Sequence, residues 1–140
     1  LLLGAYVKHQ HYGLACGWLT CGEQLWPSNE AQMWQTAHRI AASATVLYTL
    51  WTAFVAYRRR WGRPLEQRLL LAAAVGLLQA VIGIITVTTE VHLPWAVIHL
   101  AVGTWMALLL VELKIYLHMS VAIRLSARGR MREYTQTPAR

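Results

Sequence analysis

The chain has 140 residues, enough for one small domain. It is 56% hydrophobic, 14% charged and without a single Asp, which excludes an ordinary water-soluble globule, where roughly a quarter of residues are charged. The net charge of +7 raises nucleic acid as a partner, but the placement of the charge removes it. Five arginines crowd one connection (Arg58, Arg59, Arg60, Arg63, Arg68) and five more the tail (Arg124, Arg128, Arg130, Arg132, Arg140). Basic clusters at helix ends on alternate connections are the positive-inside signature of a membrane protein, so the partner this composition implies is membrane lipid.

In chain order, "LLLGAYV" is apolar but too short to cross a bilayer. It reads as the last two turns of a helix over 1–8 that ends at Lys8. The loop that follows carries "CGWLTC". Residues 31–57 form the first full span, 68–89 the second and 94–118 the third. Each exceeds the ~20 residues that a transmembrane helix needs. "RRRWGRPLEQR" separates the first two, with Gly62 and Pro64 as breakers. "TTEVHLPW" ends the second and restarts the third, Pro94 suiting a first helical turn. Residues 119–140 are a basic tail. The expected fold is an all-α integral membrane protein. Residues 1–140 form a single domain, a four-helix transmembrane bundle whose first helix is largely missing from this chain. With loop and tail both cytoplasmic, the protein is a multi-pass protein of the plasma (inner) membrane. Residues 12–30 and 89–94 then face the outside.

His38 lies seven residues after Ala31, and His99 five after Pro94, so at ~1.5 Å of rise per residue both imidazoles sit about 8–10 Å below the outer face. Two histidines at matched depth on different helices can hold one haem iron between two axial ligands. Hydrogen bonding to neighbouring helices is the alternative use of the pair. Arg39 stands at the rim of such a site, where haem propionates want a cation, and Lys8 can share the role. Ala37, Ala41, Ala42 and Ser43 on one helix, with Ala101 and Gly103 on the other, leave room for a flat ring or for close helix packing. Trp34 and Trp95 read as interface residues. His9, His11, His92 and His118 fall at connections or helix ends and read as solvated.

Cys16 and Cys21, in an outer loop with four residues between them, can close a disulfide. A structural clip and a redox-active pair are both open readings. Gln79, with Gly76 and Gly83 nearby, reads as a cross-helix hydrogen-bonding residue or a group approaching a ligand. Glu112 and Lys114 lie near the inner end and pair or snorkel. Gln35 is one turn before His38 and on the same helix face.

"LLGAYVKHQHYGLACGWLTC", "AHRIAA", "LLQAVIGIITV" and "LPWAVIHLAVG" follow one another in the order found in the haem A synthase family, which the chain resembles over roughly residues 2 to 110. That family has eight helices in two homologous halves, each with a histidine pair. One pair holds haem b, and the other receives haem O for stepwise oxidation of a methyl to the formyl of haem A. The resemblance implies a half-length, four-helix form with His38 and His99 as ligands of haem b iron. It makes Cys16 and Cys21 the loop cysteines and implies a homo-oligomer that rebuilds eight helices, in support of cytochrome oxidase. The family's substrate half carries a glutamate three residues before its histidine, where this chain has Gln35. An amide cannot transfer a proton as that acid would. If another acid serves instead, Glu90 is the nearest outer-face candidate by topology. Two functions follow: a haem A synthase-like oxidoreductase, or a non-catalytic haem-bearing accessory or electron-transfer subunit of a respiratory oxidase complex.

Overall fold

The computed structural model describes residues 2–17, 20–21 and 26–136. The elements are α1 (Leu2–His9), a single 3-10 turn (Tyr12–Leu14), α2 (Glu30–Arg59), α3 (Arg63–Thr88) and α4 (Leu93–Gln136). Among the described residues, three helices are long and apolar enough to cross a membrane: α2, α3 and α4 as far as Ile123.

Local chemistry sets the ends. Asn29 caps α2, its side chain accepting from the Gln32 N–H at 3.0 Å. This satisfies one of the amides that a helix start leaves open. At the other end of α2, Arg58 and Arg59 occupy the last turn, where cations suit the helix dipole. Arg60 then turns left-handed at φ 51°. Gly62, at φ 112°, takes a backbone conformation that a side chain would strain. Its N–H donates to Glu66 Oε1 at 3.1 Å, and Pro64 fills the first turn of α3. The second span therefore starts at Arg63, five residues before the start its hydropathy indicates, because Gly62, Pro64 and Glu66 form a helix start that hydropathy does not register.

α3 and α4 are joined by a tight turn in which Glu90 and Val91 are both left-handed, at φ 56° and 59°. The Val91 N–H donates to the Thr86 carbonyl at 2.8 Å and holds that turn. α4 runs far beyond the sequence-derived span 94–118. Its 44 residues make about 66 Å at 1.5 Å per residue, against a hydrocarbon core of about 30 Å. No proline interrupts it after Pro94, so the basic tail continues the same helix through Gln136.

α3 is the central helix. It packs along both α2 and α4, while α1 rests on α2 and the 3-10 turn. The core lies at the arginine-rich end, where Ala53 and Ala56 of α2 meet Leu69 and Ala73 of α3 and Leu113 of α4. In the middle, Gly76 lets Met106 and Val46 approach from either side; a Cβ there would stand 3.1 Å from Met106 Cε. Lipid tails are as apolar as leucine, so such helices associate through close contact at small residues rather than by escaping water. Side chains on the outer faces, such as Leu47, Trp51 and Leu108, stay exposed to lipid. Beside the Arg-rich connection, Arg68 pairs with Glu112 at 3.2 Å and stacks over Tyr116, bracing α3 against α4.

Candidate functional site

The end of the bundle opposite that core carries the histidines. His38 projects from α2 and His99 from α4, the two helices that flank α3. Each imidazole rests on a glycine of another helix. A Cβ on Gly4 of α1 would come within 2.9 Å of His38 Cε1, and one on Gly83 of α3 within 3.0 Å of His99 Cε1. Any larger residue would push the ring aside. The two rings lie within electrostatic reach of one another.

Gln79 of α3 approaches His99 directly. Its Nε2 donates to the His99 carbonyl at 3.0 Å and lies 3.4 Å from the ring Nε2. Gly103 makes room for that amide on α4, since a Cβ there would sit 2.8 Å from Gln79 Nε2. His99 Nδ1 and Gln79 Oε1 are buried without a hydrogen-bond partner. Buried polar atoms are nearly always bonded, so two orphans on neighbouring side chains mark a place where a ligand or water belongs.

A loop crosses this end. Cys16 and Cys21 are joined by a disulfide and both are buried. Thr36 Oγ1 lies 3.9 Å from the Cys16 sulfur and 3.6 Å from that of Cys21, seating the bridge on α2. Gln35 is 3% exposed, and its amide is bound up by the loop. The Cys16 N–H donates to its Oε1, and its Nε2 donates to the Gly13 carbonyl at 2.6 Å. Arg39 Nη2 donates to the Cys16 carbonyl at 3.3 Å. Tyr6 of α1 stacks on Trp34 with centroids 4.9 Å apart and meets Tyr12 edge-on at 6.4 Å. Trp34 also donates to Glu30 Oε1 at 3.3 Å. Outside the spans, the Tyr12 phenol is pushed above its ordinary range, by desolvation first and then by the charges of Glu30 and Tyr6.

The fold thus brings His38, His99, Gln79, Gln35, Arg39 and the disulfide to one end. Glu90 is exposed on the left-handed turn, and its side chain makes no hydrogen bond among the described residues. Lys8 is exposed at the end of α1, and His9, His11, His92 and His118 are exposed as their positions suggested. Gly4, Gly83 and Thr36 are parts of this site that linear reading does not single out for their roles. Gly83 is traceable one turn from Gln79. The partners of Gly4 and Thr36 appear only when the helices are placed. Chemically, two imidazoles on separate helices are a donor pair for a transition metal in a planar ring, and the surrounding groups are hydrogen-bond donors and small residues.

Residues 1–111 match the COX15-CtaA family model, described as cytochrome oxidase assembly protein. The Heme A synthase of Exiguobacterium sp. is 36% identical over 81 residues, which are 57% of this chain and 26% of that relative. The matched stretch therefore spans about a quarter of the relative's length. No solved structure matches the chain.

Proposed function

Given that the chain belongs to the COX15-CtaA family of cytochrome oxidase assembly proteins, we propose that it binds haem b between His38 and His99. In this reading it serves the oxidation of haem O to haem A as a homo-oligomer. The observation that carries the reading is the seating of both imidazoles at one end of the bundle, on helices either side of α3, each against a glycine. The buried Nδ1 of His99 has no hydrogen-bond partner, which leaves a ring nitrogen available to a ligand. With the Arg-rich connection in the cytoplasm, this end faces the extracytoplasmic side of the plasma membrane.

Haem, when bound, supplies the iron redox chemistry that oxidation of a methyl to a formyl requires. The chain's own residues do the rest. His38 and His99 provide the ligand nitrogens. Gln79 ties α4 to α3 at the His99 carbonyl and so fixes where that ring can point. Arg39 places a cation beside the loop, within the rim where propionates of such a haem would lie. The buried Cys16–Cys21 bridge sits against Thr36, one residue from Gln35 and two from His38.

A second reading, a haem-bearing accessory or electron-transfer subunit of a respiratory oxidase, is favoured by one observation. The side chain at position 35 is an amide whose hydrogen bonds go to the loop backbone, so the group one turn before His38 cannot move a proton as an acid would. Expression beside a haem O producer, followed by extraction and identification of the haems, separates the two. Haem A made by the wild type and lost in His38→Ala and His99→Ala supports the synthase. Bound haem b with no haem A supports the accessory subunit. A chain purified without haem contradicts both.

A further inference from the structure

Every hydrogen-bonding atom of the Gln35 amide is used, and every partner is a backbone atom of one loop about twenty residues earlier. Oε1 accepts from the Cys16 N–H. Nε2 donates to the Gly13 carbonyl at 2.6 Å and lies 3.4 Å from the Cys16 carbonyl. The next residue, Thr36, touches both sulfurs of the bridge. One turn on, Arg39 reaches the same Cys16 carbonyl. From there the loop extends to the turn between α3 and α4, where a Cβ on Gly13 would stand 3.3 Å from Val91 Cγ2. Together these contacts hold the Gly13–Cys16 stretch against α2, with Cys16 only 1% exposed.

We propose that Gln35 is the latch of this disulfide loop, a positioning residue that acts through the loop, and that the latch has to be an amide. It must accept from one N–H and donate to carbonyl oxygens at the same time, which the two halves of an amide do and a carboxylate does not. Glutamate keeps the acceptor but turns a second oxygen toward the Gly13 and Cys16 carbonyls. Methionine keeps the volume and offers neither half. By holding the loop down, Gln35 keeps the Cys16–Cys21 bridge away from external thiols. This assignment stands whether or not haem occupies the histidines.

The test compares the full-length wild type with Gln35→Glu and Gln35→Met in detergent. The rate at which dithiothreitol reduces Cys16–Cys21 is followed by alkylation and mass spectrometry, and helix content is checked by circular dichroism. At about pH 9, where a glutamate side chain is ionised, both variants are expected to be reduced roughly tenfold faster than wild type or more, Gln35→Met through the loss of two good hydrogen bonds and Gln35→Glu through the loss of the donor half and the repulsion between its second oxygen and the carbonyls. A wild-type rate in Gln35→Met would mean that the side chain only fills space. A wild-type rate in Gln35→Glu would mean that the donor half is idle. Either result overturns the latch. If neither variant folds, hydrogen exchange on the wild type decides. A Cys16 amide slower than that of Gly17 supports the latch, and one exchanging equally fast overturns it.

Discussion

Replacing Gly83 with alanine is a sharp perturbation because its two physical consequences have opposite signs. In a helix interior alanine is favoured over glycine by about 1 kcal/mol, so α3 itself gains. The added Cβ, however, would stand 3.0 Å from His99 Cε1, closer than a relaxed carbon contact by several tenths of an ångström. The ring has little room to yield, since the Gln79 amide closes one side of it. Overpacking of this kind costs about 1–3 kcal/mol. If that cost falls on the haem-bound geometry, affinity drops by roughly 5- to 150-fold, at 1.4 kcal/mol per decade. The assay is a haem titration of detergent-solubilised apo-protein, followed in the Soret band, with thermal unfolding of the apo-protein in parallel. The expected outcome is weaker haem binding, because the displaced ring no longer presents its nitrogen, together with a fall in apo-stability of at most about 2 kcal/mol, the clash less the helix gain. Unchanged haem affinity and an unchanged spectrum in Gly83→Ala would refute the idea that this glycine seats a ligand.

Protein isolated without reductant should show Cys16 and Cys21 protected from alkylation in native membranes, and mass spectrometry that finds both thiols modified would count against the disulfide. Gly62→Ala should destabilise the connection between α2 and α3 by about 1 kcal/mol or more, because φ is 112° there, and a thermal melt unchanged from wild type would remove that assignment. Arg68→Ala should cost less than about 1 kcal/mol, since the ion pair with Glu112 has side chains 38% and 58% exposed. A loss several times larger would show that the stacking of Arg68 on Tyr116 contributes more than the pair.

Much of the fold was legible because hydrocarbon imposes simple demands. Long apolar runs had to be helices, and the breaks at Gly62, Pro64 and Pro94 had to be turns. The histidine pair was legible for the same reason, as depth along a helix is arithmetic. The start of α3 at Arg63 was missed because its cap depends on Gly62 donating to Glu66, a local bond that hydropathy does not register. The reach of α4 to Gln136 was missed because a charged tail carries no span signal, although it carries no proline before Pro138 either. Gln35 shows the limit most clearly. Helical spacing put it on the face of His38, but its hydrogen-bond partners are backbone atoms of Gly13 and Cys16, about twenty residues earlier in the chain. No linear pattern tells an amide aimed into a pocket from one consumed by backbone.

The central claim is that one haem iron is held between His38 and His99, and electron paramagnetic resonance of the oxidised protein tests it most directly. The wild type should give a low-spin signal of two imidazole ligands. His99→Ala should convert it to high spin or lose the haem, and added imidazole should restore the low-spin signal in the cavity left behind. A His38→Ala or His99→Ala protein that keeps the wild-type haem content and an unchanged low-spin signal would contradict the claim.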